Sequence, residues 1–234
     1  MAPHAPRPLA FSFDADHHLA PEELISLLGG KGRGLALMTS MGLPVPPGFT
    51  LTTEAWRHFD SHGWTDALDD AVRAGLAELE HATGRRFGRG DDPLLVSVRS
   101  GAEVSMPGML DTVLDVGMTG EVATALARRT GDEAFASETL RRSLASVQAV
   151  FRSWASPRAA RFREVEGIGG DLGTAVTVQQ MVFGNLGTDS GSGVAFTRDP
   201  STGEPGLVGD FLARAQGEDV VSGRQATAPL AEMA

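Results

Sequence analysis

The chain has no cysteine among its 234 residues, which excludes a disulfide framework and any thiolate metal site. It is also poor in basic residues: 20 Lys and Arg stand against 30 Asp and Glu, a net charge of −10. Nucleic acids are held by basic patches, so that balance argues against them as partners. Long apolar runs are missing as well. None approaches the ~18 residues of a membrane span, and Met1–Asp14 lacks the charged-then-apolar pattern of a secretory signal. These absences lead to the expectation of a cytoplasmic protein that engages neither nucleic acid nor membrane. Two phosphate-binding signatures are absent too. No G-x-x-x-x-G-K-[ST] loop occurs, and Gly32 and Gly34 are not followed by the third glycine of a dinucleotide fingerprint.

What is present is enough apolar material for a substantial core, with 41% hydrophobic residues arranged in helical and strand-like periods. Leu68, Val72, Leu76 and Leu79 share one helical face, and Gly84–Pro93 then reads as a loop into a strand over Leu94–Val98. Leu140, Leu144, Val147, Phe151 and Trp154 form a second helical stripe, with Pro157 where that helix should stop. Thr174–Phe183 alternates, placing Val176, Val178, Gln180 and Val182 on one side and Thr177, Gln179 and Met181 on the other. These stripes are core faces. The basic stretch Arg85-Arg86-Phe87-Gly88-Arg89 reads as a solvated loop.

Two segments carry candidate chemistry. From Leu94 to Gly117 an apolar run delivers Arg99 into a loop rich in Ser and Gly, and a second apolar run leaves through Asp111 and Thr112. Small residues let backbone N–H groups approach an oxyanion, and a guanidinium forks two donors onto a phosphate. An ordinary structural turn would fit the same pattern. Nearer the N-terminus, Gly29-Gly30-Lys31-Gly32-Arg33-Gly34 leads into a short helical run, so the Lys31 ammonium can sit at a helix N-terminus, where phosphates are favoured. In so acidic a chain Lys31, Arg33 and Arg99 are the candidate cations for a nucleotide.

Together these segments resemble the N-terminal nucleotide-binding domain of the pyruvate, phosphate dikinase family. The resemblance continues through Gly173–Asn185, with its Val178-Gln179-Gln180-Met181 pattern, through Ser190–Glu204, and through Ala215-Gln216-Gly217-Glu218-Asp219-Val220-Val221. It implies an α+β, ATP-grasp-like nucleotide-binding domain. Residues 1–118 would form an N-terminal lobe with the phosphate-binding loops, 119–172 a reduced helical insertion, and 173–234 a second lobe, incomplete at its end. Transferred residue by residue, Lys31 and Arg99 resemble the family's catalytic and phosphate-binding cations. Gly108 and Thr112 resemble its glycine-rich-loop contacts, and Gln179 the adenine-side contact, with Met181 as an apolar wall. ATP and Mg²⁺ are the implied cofactors.

The departures matter equally. Met118–Gly173 is too short for the family's insertion, and the family's D-x-E and Q-T-R segments, which supply metal-binding carboxylates, have no counterpart. The metal ligands are therefore unknown. Glu218 and Asp219 could replace one, although a charged loop end explains them as well. None of His4, His17, His18, His58, His62 and His81 stands in the Thr-Ser-His context of the family's phosphocarrier, and His17 and His18 read as solvent-exposed. The expected function is an ATP-binding component of a dikinase-like phosphotransferase. A second polypeptide would carry the phosphocarrier histidine and the pyruvate-binding domain. The alternative is a non-catalytic nucleotide-binding paralogue that completes or controls another chain.

Overall fold

A computed structural model describes residues 7–88, 90–106, 108–110, 112–116 and 147–233. In chain order the elements are β1 (Ala10–Ser12), α1 (Pro21–Ser40), β2 (Gly48–Leu51), α2 (Thr53–His62), α3 (Asp66–Thr83), β3 (Val96–Gly101) and β4 (Thr112–Val116). There follow α4 (Val147–Ser153), α5 (Pro157–Glu166), β5 (Ala175–Gln180), β6 (Gly191–Arg198), β7 (Pro205–Ala213), α6 (Gly217–Val221) and β8 (Ala228–Pro229). The described residues thus make a mixed α/β protein of six helices and two antiparallel sheets, in the orders β1-β2-β5-β3-β4 and β6-β7-β8.

Local chemistry sets the helix ends. The Thr52 hydroxyl accepts from the Ala55 N–H to cap α2, and Ser156 does the same for Ala159 in α5, with Pro157 at the first turn. Pro157 therefore opens α5 rather than merely ending the helix before it. Leu140 and Leu144 lie outside the described residues. The helix read from Leu68, Val72, Leu76 and Leu79 is α3, with Leu68 and Leu79 fully buried.

The alternation read in Thr174–Phe183 holds over β5 and gives the five-stranded sheet two unlike faces. Val176 and Val178 pair with Leu51 and Phe49 of β2, and Val178 with Val98 of β3. With Val96 they form the core against Trp56, Leu68, Leu79, Val150 and Phe151 of the helices. The opposite face carries Thr50, Ser97, Arg99, Thr177 and Gln179, and α1 lies along it. There a side chain on Gly32 would meet the Thr50 hydroxyl at 2.8 Å, so helix and sheet approach closely.

The chain divides into two compact units, Met1–Met181 and Val182–Ala234. The division falls past the boundary expected near Gly173 because β5 is hydrogen-bonded between β2 and β3 at the centre of the first sheet. Residues 119–146 of the expected insertion lie outside the described residues. The rest of it contributes Val150 and Phe151 of α4, Trp154 of the link that follows and Ala159 of α5 to the core. In the second unit β6 and β7 form a hairpin, and the Asp199 carboxylate accepts from the Ser201 and Thr202 N–H groups in its turn. No described helix is long and apolar enough to cross a membrane.

Candidate functional site

Helix α1 is two helical segments joined at Gly29, whose φ of 68° and ψ of 171° break the helical run. Only glycine takes that combination without strain. The second segment therefore starts at Gly30, whose N–H donates to the Ala102 carbonyl at 3.0 Å. Lys31 stands in its first turn, at the positive end of the helix, as its glycine flanks suggested. The Lys31 ammonium donates to the Ser100 carbonyl at 2.9 Å. Its pKa lies below that of an ordinary lysine, first because the ammonium is desolvated and second because the Arg99 guanidinium is near.

Arg99 is not in the loop after β3 but on the strand itself. It faces Thr177 of β5 on one side and Thr112 of β4 on the other, so Thr50, Thr177, Arg99 and Thr112 form one row across four strands. The Arg99 side chain is exposed and has no hydrogen bond or ion pair among the described residues. The Thr50 and Thr177 hydroxyls are buried in this row with no hydrogen-bond partner among the described residues.

A cavity of about 360 Å³ opens where these elements meet. Lys31, Ser100, Glu103, Ser105, Gly108 and Thr112 are among its lining residues. Gly108 has a φ of 68° in a turn closed by the Met109 N–H on the Met106 carbonyl at 3.1 Å. Lys31, Gly108 and Thr112 thus come together, with Arg99 beside them. Such a hollow, with an ammonium, a free guanidinium and a hydroxyl near a helix start, is suited to a polyphosphate.

Other expected residues lie elsewhere. Gln179 does not line this cavity; its side-chain N–H donates to the Pro46 carbonyl at 3.0 Å, fixing the turn before β2. Arg33 points away from Lys31 around the helix and lines a different cavity. Asp219 accepts from the Gln216 N–H at 2.9 Å in the cap of α6, which accounts for its charge locally. Among the described residues no three His, Asp or Glu side chains come together as a metal site. His18 is exposed and paired with Asp16 at 3.0 Å, but both ring nitrogens of His17 are shielded from solvent. The expectation of an exposed His17 is thereby corrected: its ring packs edge-on against Phe11, with centroids 5.0 Å apart.

One signal in the sequence had not been used. Lys31 is the only lysine in the chain; every other residue of the 20 Lys and Arg is arginine. A single ammonium among guanidiniums, in a glycine-flanked first turn, sets this position apart from every other cation of the chain.

The family described as "Pyruvate phosphate dikinase, AMP/ATP-binding domain" matches residues 25–85 and 64–228. The pyruvate, phosphate dikinase of Clostridium symbiosum is 38% identical, over 89% of this chain and 32% of that protein. That of Rickettsia conorii is 37% identical over 88% of this chain and 31% of its own length. The chloroplastic pyruvate, phosphate dikinase 1 of Oryza sativa subsp. japonica is 41% identical over 84% and 28%. The chain spans about a third of the length of these relatives, which are longer single chains. With the segments around Lys31 and Arg99 and all three later motifs inside the matched residues, the chain belongs to the pyruvate, phosphate dikinase AMP/ATP-binding domain family.

Proposed function

We propose that this chain binds ATP for phosphoryl transfer in a dikinase-like phosphotransferase, with an ATP-grasp-like fold and a reduced helical insertion over 119–172. The observation that carries the reading is the convergence of Lys31, Gly108 and Thr112 on one cavity beside the unpaired Arg99. The insertion is supported by the alignment to the Clostridium protein, which extends over 278 positions while engaging 89% of a 234-residue chain.

In this reading a phosphate oxygen displaces the Ser100 carbonyl from the Lys31 ammonium. Arg99 forks two N–H donors onto the same phosphate chain, and Thr112 adds a hydroxyl donor. Gly108 lets the loop backbone approach. As the phosphoryl group leaves, charge spreads over its oxygens, and these fixed donors stabilise it there. Gln179, with its carbonyl oxygen and second N–H still free, would meet the base, with Met181 as an apolar neighbour. Because no metal cluster exists among the described residues, Mg²⁺ enters this reading only as the ion that ATP brings with it.

Calorimetric titration with ATP tests the assignment. Wild type should bind, Lys31→Ala should bind weakly, and Arg99→Lys should also lose affinity because a point charge cannot reproduce a two-donor fork. Equal affinity in all three would remove the assignment. The second reading is a nucleotide-binding paralogue that completes or controls another chain. Phosphorus NMR of ATP, pyruvate and phosphate, run with the chain alone and with a polypeptide carrying the phosphocarrier histidine and the pyruvate-binding domain, distinguishes the two: neither reading yields phosphoenolpyruvate from the chain alone, and its formation only in the mixture supports the first.

A further inference from the structure

Lys31 is placed as a nucleophile as well as a cation. Its side chain is open to solvent, lines the cavity of about 360 Å³ and makes one hydrogen bond among the described residues, to the Ser100 carbonyl at 2.9 Å. Its stem lies against the end of β3, where a carbon added to Gly101 would meet the Lys31 Cβ at 3.5 Å. Two described charged groups act there. Arg99 disfavours a second positive charge beside it, and Glu103 shares the cavity lining without forming an ion pair with Lys31.

Desolvation, and then Arg99, enlarge the uncharged fraction of this amine. A lysine desolvated or set beside another cation is an activated nucleophile. Uncharged, it can keep one N–H on the Ser100 carbonyl and still offer its lone pair to the cavity. The same cavity holds groups that would aim an electrophile at that lone pair. The Thr112 hydroxyl and the Gly108 turn line it, and the Arg99 guanidinium adjoins it with no hydrogen bond or ion pair among the described residues. On the ATP reading above, on which this inference rests, these groups grip a phosphate. A small molecule with an acyl carbon next to its phosphate would then be held with that carbon at the amine, and such positioning accelerates a bimolecular reaction.

We propose that Lys31 is a modification site for acyl phosphates. Its Nζ lone pair attacks the acyl carbon, and a C–N bond forms. The bond from that carbon to the phosphate oxygen breaks, and the oxygen leaves with the electron pair as inorganic phosphate, which takes up the proton released by the nitrogen. The product is an uncharged amide. It cannot hold the phosphates of ATP, so acylation closes the nucleotide site.

Acetyl phosphate is the probe, and N-hydroxysuccinimidyl acetate is the acetyl donor without a phosphate. Peptide mass spectrometry follows Lys31, with free Nα-acetyl-lysine amide in the same tube as the reference amine. Relative to that reference, Lys31 should prefer acetyl phosphate over the ester by at least roughly tenfold. Inorganic triphosphate and Arg99→Gln should each abolish the preference, and the acetylated chain should bind ATP at least roughly tenfold more weakly by calorimetry. No preference for acetyl phosphate, a preference that survives triphosphate or Arg99→Gln, or unchanged ATP affinity after acetylation would each overturn the proposal. The triphosphate competition uses the unaltered chain and carries the test if Arg99→Gln does not fold. Titrating the unmodified chain with ATP separates the two claims: binding without the preference removes the modification site alone, and no binding removes the ATP reading and this proposal with it.

Discussion

Gly29 and Gly34 sit five positions apart in one helix and one motif, yet replacing each with alanine should act in opposite directions. At Gly29 a Cβ would lie 1.7 Å from the Gly101 carbonyl oxygen. An ordinary C···O contact is about 3.3 Å, so α1 and β3 would have to separate by roughly 1.5 Å. The backbone at φ 68° and ψ 171° adds about 1–3 kcal/mol of strain for any residue with a side chain. Both effects break the Gly30 to Ala102 bond and move Lys31, so Gly29→Ala should cost at least about 3 kcal/mol of stability and weaken ATP binding. At Gly34 nothing lies within 4 Å of the added carbon, and the position is an ordinary helical one. There alanine should stabilise by about 0.5–1 kcal/mol through helix propensity. Urea denaturation followed by tryptophan fluorescence reads both variants, because Trp56 and Trp154 are buried in the core of the first unit. A Gly29→Ala protein as stable as wild type would refute the kink and with it the placement of Lys31.

Three further perturbations separate the site from its scaffold. Glu103 places a carboxylate in the lining of the Lys31 cavity, so Glu103→Gln should strengthen binding of metal-free ATP by on the order of 0.5 kcal/mol at low salt. A titration at high ionic strength should show that gain shrinking, and a loss of affinity would contradict it. Gln179→Ala should weaken ATP by roughly 0.5–1.5 kcal/mol more than it weakens inorganic triphosphate; equal losses would leave Gln179 only its hold on Pro46. Arg163 stacks 4.2 Å from the centre of the Trp154 ring and donates to the Trp154 carbonyl. Arg163→Leu should therefore cost about 2 kcal/mol of stability with ATP affinity unchanged, as denaturation and calorimetry would show.

Much of the fold was legible where periodicity reflects a single neighbouring layer. The α3 stripe and the β5 alternation both follow from one buried face, and the structure keeps them. Where the partner is distant in sequence, the pattern failed. Arg99, Ser100 and Gly101 read as loop because Ser and Gly are poor strand formers, but pairing with Thr177, Val176 and Ala175 extends β3 through them. The same long-range pairing moves β5 into the first unit. The glycine cluster concealed a longer helix: Pro21–Leu28 precedes the kink, and only Gly29 departs from helical geometry. His17 read as polar surface, and only the packing of Phe11 against it reveals its shielding. Of the site, Lys31, Gly108 and Thr112 meet at one cavity with Arg99 adjoining, whereas Gln179 and Arg33 face other surroundings.

The central claim is that the Lys31 ammonium holds the phosphates of ATP, and the single lysine of the chain makes it directly observable. With ¹³C- and ¹⁵N-labelled lysine, NMR gives one side-chain signal, whose midpoint can be followed against pH with and without ATP. In the free protein desolvation and Arg99 place that midpoint below an ordinary lysine. Phosphates favour the charged form, so ATP should raise the midpoint and shift the signal, and affinity should fall as pH rises through the midpoint of the free protein. A lysine signal with the same position and the same midpoint at saturating ATP would contradict the account.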